Sequence, residues 1–408
     1  MESIDRPTVQ RSAIDLAEEV KLRAPQGAAE KLAHYGGAEV AAALLKLSPG
    51  FAQDVLARLP ADTRERALAA APLETARQWQ RNALYEEGTI GRMMEPVYAA
   101  FPPDSTVGDA IEALHELVKL AFITYIYIVD DDERLLGIVT MRDLLFNERA
   151  RPLRDVMLTD VFALHAPTLL AEAMKQVLDR HYPVYPVVDA ENRIRGLVRG
   201  QSMFEARAFD IAAQAGSMVG VEKEERLATP WQRSLFMRHP WLQLNLLTAF
   251  LAAAVVGVFQ GTIDRLVILA LFLPVLAGQS GNTGCQALAV TLRGLTLGEL
   301  KPGAEKALVY KEAGLGMLNG AGVGLFAALG MYVTAAGQNS THALMLAVVV
   351  FLAMVGACVA SGIAGAMVPL TLKRLGFDPA TASSIFLTTA TDVVSMGMLL
   401  SLATLLVR

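Results

Sequence analysis

Apolar positions are spread very unevenly along the 408-residue chain. After Trp241 they gather in five long stretches, at about 241–263, 266–292, 312–336, 343–372 and 379–407. Each reaches the roughly 20 residues that cross a hydrocarbon core as a helix. The second and fourth are interrupted by glycine, which predicts tilting or partial unwinding. Before Trp241 the pattern is amphipathic. Residues 28–90 read as short helices punctuated at Pro49, Pro60 and Pro72, a small superhelix with a repeat of roughly 12 residues. Two later segments, YIYIVDDDERLLGIVTMRDLL and YPVYPVVDAENRIRGLVRGQS, share one pattern of strand, polar turn, strand and helix start. Asp130 and Gly137 of the first recur as Asp189 and Gly196 of the second. Each segment follows a helical stretch, IEALHELVK or AEAMKQVLD, so a tandem β-α-β repeat is predicted. Residues 206–238 read as a connecting helix, and residues 1–12 as a disordered start.

Charge sharpens the division. Of 36 basic and 41 acidic residues, only 8 and 6 lie from Trp241 onward. The net charge of −5 is therefore about −7 before that point and +2 after it, the asymmetry of a polar head on a membrane body. The alternative of a large buried helical domain is disfavoured by five consecutive stretches of this length. The mildly acidic head argues against a nucleic-acid partner. The start lacks a basic segment followed by an apolar one, so no signal peptide is expected. Basic residues favour the cytoplasmic side of short loops. Arg293, Lys301, Lys306 and Lys311 follow the second stretch, and Lys373 and Arg374 follow the fourth, whereas the other loops carry Arg265 or none. Five spans, the N-terminus inside and the C-terminus outside the cytoplasmic membrane satisfy both the count and the bias.

Asp392 stands well inside the last stretch, in FLTTATDVVSMGMLLSL. A carboxylate at that depth costs about 2.5–3.5 kcal/mol on insertion scales, and no basic residue lies at comparable depth in another span. An ion or proton site is the reading; a protonated acid bonded to Thr and Ser neighbours is the structural alternative. The second stretch offers a companion, PVLAGQSGNTGCQ. Gly278, Gly281 and Gly284 loosen the helix on paper, while Asn282, Thr283 and Gln286 bring uncharged oxygens, which suit a hard cation such as Mg²⁺. The near match to G-x-S-x-G fails at Asn282, and the six histidines have no metal-ligand spacing, so no enzyme is expected. Gly316, Gly320 and Gly324 recur on one face of the third stretch and predict close helix packing.

The tandem repeat at about 91–205 resembles a pair of CBS domains. That resemblance implies an adenine-nucleotide site at Thr140 and Asp143 of GIVTMRD. The second copy has Arg199 and Ser202 at the matching places. With YEEGTIGRMMEP, PVLAGQSGNTGCQ, RLGFDPATAS and TTATDVV, the order of parts resembles the MgtE family of magnesium channels and transporters. The implied architecture is multi-domain: an all-α cytosolic N-terminal domain (1–90), an α/β CBS-domain pair (91–205), a connecting helix (206–238) and an α-helical transmembrane bundle of five spans (239–408). The resemblance implies a homodimer in the lipid bilayer with a Mg²⁺ pore on its axis, closed by the head when cytosolic Mg²⁺ is high. It makes Asp392 the pore acid, Thr388 a carbonyl donor and Asp378 an acid near the gate, with Gly281, Asn282, Gly284, Cys285 and Gln286 lining the path. Asp189, Glu205 and Asp210 are candidates for a regulatory cation. Cys285 stands where the family usually has Asn, Ser395 where a Gly is common, and the helix after the CBS pair has few acids. Closure by Mg²⁺ is therefore expected to be weaker here, or to use another signal. A proton- or sodium-coupled transporter of Co²⁺ or Mn²⁺, and a CBS-containing membrane sensor without transport, are the other readings.

Overall fold

The computed structural model describes residues 6–301, 303–381 and 383–407. It separates into two compact units, residues 1–211 with 226–229, and 212–225 with 230–408.

The first unit opens with α1 (Arg6–Lys21). The expected disorder over 1–12 therefore does not extend through residues 6–12, where a proline in the first turn suits a helix start; residues 1–5 lie outside the described residues. Five short helices follow: α2 (Pro25–Leu32), α3 (Gly37–Leu44), α4 (Pro49–Arg58), α5 (Ala61–Ala70) and α6 (Leu73–Asn82). Pro49 is the first residue of α4, and Pro60 and Pro72 immediately precede α5 and α6. Proline's fixed φ and missing N–H cost nothing there, which is why the proline spacing marks the helices. Their apolar faces meet in one core around Leu32, Val40, Leu44, Val55, Leu56 and Trp79.

The two β-α-β repeats come next. The first is β1 (Ala100–Phe101), α7 (Val107–Leu117), β2 (Tyr125–Val129), β3 (Leu135–Thr140) and α8 (Met141–Phe146). The second is β4 (Leu164–His165), α9 (Leu170–Val177), β5 (Val184–Val188), β6 (Ile194–Arg199) and α10 (Gly200–Met218). Each forms a three-stranded sheet in which the first strand runs parallel, and the third antiparallel, to the middle one. The repetition reaches single residues. Ile128 pairs with Gly137 and Val187 with Gly196, each followed by a register shift. Glu133 and Asn192 take φ of +64° and +62° at matching turn positions. Asp130 Oδ1 accepts the amides of Asp132 and Arg134, and Asp189 Oδ1 those of Glu191 and Arg193. The acidic run at 130–133 is thus an Asx turn, in which the side chain stands in for a backbone carbonyl. The two turns bond each other: the Leu135 amide donates to the Asn192 carbonyl at 2.9 Å, and the Ile194 amide to that of Glu133 at 2.9 Å.

The second unit contains the end of α10 and then α11 (Trp231–Val258), α12 (Gln260–Arg265), α13 (Leu269–Leu297), α14 (Glu305–Gly337), α15 (Ala343–Arg374) and α16 (Ser383–Leu406). The single connecting helix expected over 206–238 is instead two helical pieces joined by a turn, because Gly220 at φ +78° reverses the chain and Pro230 starts α11 afresh. Among the described residues four helices, α11, α14, α15 and α16, are long and apolar enough to cross a membrane. The fifth long helix, α13, falls outside that group because Gln279, Ser280, Asn282, Thr283 and Gln286 lower its hydropathy. Of the tilting or partial unwinding expected at its glycines, the unwinding does not occur: α13 runs unbroken through Gly278, Gly281 and Gly284, and α15 is equally continuous. A helix satisfies its own backbone groups, and an unwound stretch in an apolar bundle leaves them bare. The glycines serve contact instead. A Cβ on Gly316 would lie 2.4 Å from the Cys358 carbonyl oxygen, and one on Gly365 would lie 2.4 Å from that of Gly284. α15 thereby packs closely on both α14 and α13, and α16 closes the bundle against α13 and α15.

Candidate ion path and regulatory sites

Asp392 is half-buried on α16. Among the described residues no side chain bonds to its carboxylate; the nearby Ser395 hydroxyl donates to the Asp392 backbone carbonyl at 3.3 Å. The sequence alternative of a carboxylic acid held by Thr and Ser hydroxyls is therefore not what forms. These hydroxyls turn to their own helix: Thr391 donates to the Thr388 carbonyl at 3.0 Å and Thr389 to that of Ile385 at 2.9 Å. This is the usual fate of Ser and Thr inside apolar helices. The Thr388 carbonyl, predicted to face an ion, accepts the Thr391 hydroxyl on top of its bond within the helix, while the Thr388 residue itself is exposed.

α13 comes against this stretch. A Cβ on Gly281 would lie 4.0 Å from Thr391 Oγ1, and one on Gly284 would lie 2.9 Å from Leu387. The buried side of α13 carries Ser280, Gly284, Ala287 and Leu288. Its opposite side exposes Gln279, Asn282, Cys285 and Gln286. An unburied amide-rich stripe within a bundle of this composition is costly in lipid, so it requires water or a protein surface. Asp378 stands before α16; its Oδ1 accepts the Ala380 amide at 3.0 Å, and its Oδ2 lies 3.8 Å from Lys223 Nζ. From Ser384 to Asp392 the helix climbs roughly 12 Å, so Asp378 and Asp392 mark different levels. Lys223 had no signal in the sequence pattern, since the contact joins residues far apart in the chain.

The regulatory candidates are more dispersed. Thr140 and Asp143 form the capping box of α8: the Thr140 hydroxyl donates to Asp143 Oδ2 at 2.6 Å, and the Asp143 amide donates to Thr140 Oγ1 at 3.2 Å. The Thr140 hydroxyl holds the Asp143 carboxyl below the usual carboxylate range. At the matching place in the second repeat, Arg199 pairs with Glu95 at 2.8 Å. Burial pushes Glu95 up despite that partner. The pair edges a cleft of about 450 Å³, its open mouth included, that is also lined by Tyr98, Phe122, Tyr125 and Tyr127. Asp189, Glu205 and Asp210 are not brought together. Asp189 anchors its turn and pairs with Arg195 at 2.7 Å. Partial burial opposes its ionisation, but the Arg193 amide and Arg195 outweigh that and hold it low. Glu205 accepts from Gln201 at 2.9 Å, and Asp210 lies 4.0 Å from Arg207. Among the described residues no three His, Cys, Asp or Glu side chains stand close enough to hold a metal.

A bundle of long apolar helices that carries the half-buried Asp392 on α16 and a polar face on α13, joined to a pair of β-α-β repeats, defines a membrane ion-transport protein with a polar head. Models of known families match accordingly: a divalent cation transporter domain, MgtE, over residues 273–402, and CBS domains over 90–148 and 153–208. The magnesium transporter MgtE of Thermus thermophilus is 30% identical over 330 residues, 80% of this chain and 72% of that protein. That of Enterococcus faecalis is 28% identical over 325 residues, 79% and 70% of the two chains. A crystal structure of the cytosolic domain of the Mg²⁺ channel MgtE in complex with ATP aligns at a TM-score of 0.41 with 28% identity, over 47% of this chain and 78% of that one. The chain belongs to the MgtE family of magnesium transporters, which is not an enzyme family.

Proposed function

We propose that this protein conducts hydrated Mg²⁺ into the cell across the cytoplasmic membrane as a homodimer, with Asp392 as the central acid of a pore on the dimer axis. The observation that carries the reading is the half-buried Asp392 carboxylate, to which no side chain bonds among the described residues, on a helix that packs against α13 at Gly281 and Gly284. A second copy facing the exposed polar stripe of α13 buries it around water, and that helix becomes the fifth span. Mg²⁺ gives up its water reluctantly and is held through its hydration shell by few carboxylates. Two Asp392 carboxylates near one axis repel unless a divalent ion lies between them, which favours Mg²⁺ over a monovalent ion. The Thr388 carbonyl, Asn282 and Gln286 supply neutral oxygens to the outer waters, and Gly281 and Gly284 let the helices approach. The head of helices (1–90) and CBS pair (91–205) lies in the cytoplasm and regulates the pore through residues 206–238. An adenine nucleotide fits this scheme at Thr140 and Asp143 once α8's capping box exchanges a partner.

The test is growth at limiting Mg²⁺ of cells lacking their own uptake systems. Wild type is expected to restore growth and Asp392→Asn to fail while reaching the membrane in equal amount. Rescue by both proteins, or by neither, refutes the reading.

A further inference from the structure

The place held by Thr140 is built differently in the second repeat. Tyr125 pairs with Thr140 across the first sheet, and Val184 with Arg199 across the second, so Arg199 is the counterpart of Thr140. Thr140 turns its hydroxyl to Asp143 within its own helix start, whereas the Arg199 guanidinium reaches Glu95, upstream of both repeats, at 2.8 Å. Glu95 is fixed for that contact: its amide donates to the Leu197 carbonyl at 2.7 Å, and its carbonyl accepts the Leu197 amide at 2.9 Å. The pair borders the cleft of about 450 Å³, open mouth included, near the lower end of the range for small-molecule sites.

Three features of this cleft point to a ligand and narrow its kind. Two hydroxyls that line it, Tyr127 Oη and Thr124 Oγ1, are shut off from solvent and bond to no protein group. Tyr127 is 1% exposed, and a buried hydroxyl left without a partner is costly. Burial pushes its phenol up, so it stays a donor at neutral pH. Next, aromatic rings form the walls: Tyr98, steadied by a 3.3 Å contact of its hydroxyl with Thr75 Oγ1, and Phe122 and Tyr125. Last, Glu95 and Arg199 are the only charged groups among the described residues that line the cleft, so it is neutral as a whole. An anion that draws Arg199 away leaves Glu95 without its counterion, and a cation that draws Glu95 away strands Arg199. A ligand that carries both charges commits neither fault.

We propose that this cleft binds a small zwitterion, a methylated ammonium joined to a carboxylate. The ligand carboxylate accepts from Arg199 and from the hydroxyls of Tyr127 and Thr124. The ammonium lies against the Phe122 and Tyr125 rings, beside Glu95. Aromatic faces attract such a cation, and it has no N–H for the apolar walls to leave unbonded. A nucleotide fits poorly, because its phosphates bring several negative charges to Glu95. Thr140 and Asp143 are not among the lining residues. The site goes beyond the transport reading and does not depend on it.

The experiment is isothermal titration calorimetry of the full chain in detergent with glycine betaine, with choline, acetate and AMP as comparators. Glycine betaine is expected to saturate at one site per chain. Choline and acetate, each with half of the recognised charge, should bind at least about tenfold more weakly. AMP should not compete with glycine betaine. Phe122→Ala should weaken glycine betaine about fivefold; the ring is 81% exposed, so its loss spares the core. Tyr127→Phe keeps the buried ring and should weaken binding by about the same factor. Titration without saturation, choline as tight as glycine betaine, or unchanged affinity in both variants overturns the proposal. AMP that competes with glycine betaine and loses affinity in Phe122→Ala assigns the cleft to a nucleotide, which also overturns it. None of these outcomes touches Asp392, whose role is read separately in growth at limiting Mg²⁺.

Discussion

Single residues here answer two different demands. Asp392 is set apart by what surrounds it: Thr388, Thr389, Thr391 and Ser395 all spend their hydroxyls on backbone carbonyls, and none on the carboxylate. Asp143 is the opposite case, an acid engaged on one oxygen by Thr140 three residues back and on the other by Arg142. Removing an N-cap hydroxyl costs about 1 kcal/mol, so Thr140→Ala should speed amide exchange in the first turn of α8 about fivefold, read by hydrogen exchange of the full chain in detergent. The acid partner carries a pH signature. Its folded pKa is depressed, so its contribution is present above the ordinary aspartate value of about 3.9 and lost as pH falls through the lower folded value. The protection of α8 should fall in that acidic window in the wild type and show no such step in Asp143→Asn. A nucleotide at this place has to compete with the capping box, which makes the cost of binding a property of these two residues.

Whole elements were legible in proportion to how local their signal is. Prolines 49, 60 and 72 marked three helix starts because proline acts within one residue of itself. The tandem repeat was legible to the residue, down to Asp130 and Asp189, because an Asx turn is made by a side chain and its nearest amides. The glycines of α13 misled, since a lone sequence says only that a helix is weakened there. It does not say that α15 arrives with Gly365 to use the space. That contact yields a paired prediction. Gly365→Val drives a side chain into the Gly284 carbonyl and the Ala287 methyl. Thermal unfolding in detergent should show a loss of about 1–3 kcal/mol, the range for overpacking. Gly314→Ala, with nothing within 4 Å of its new methyl, should be neutral or stabilising, since alanine favours a helix over glycine by about 1 kcal/mol.

At the scale of the whole molecule the polar stripe of α13 ties fold to function. The two cysteines report on it, because Cys285 is exposed on the stripe and Cys358 is buried against α14. A water-soluble thiol reagent should modify Cys285 and leave Cys358 untouched in the assembled protein, as mass spectrometry of tryptic peptides would show. Modification should lower Mg²⁺ uptake in the wild type and leave Cys285→Ser unaffected. Labelling of neither cysteine, with uptake intact, places the stripe away from the ion path.

The sequence alone determined the division of the chain, the membrane body, the paired repeats, the family and the acid at 392. The division, the body and the repeats follow from periodicity and composition, and the acid from the cost of one charge in lipid, all properties of short windows, while the family rests on the resemblance of whole motifs. Tertiary structure alone decided that α13 stays helical, that Asp189, Glu205 and Asp210 stand apart, and that Lys223 reaches Asp378. These depend on backbones packing at glycine contacts and on side chains meeting across 155 or more residues of chain, and no local pattern records which distant partner will arrive.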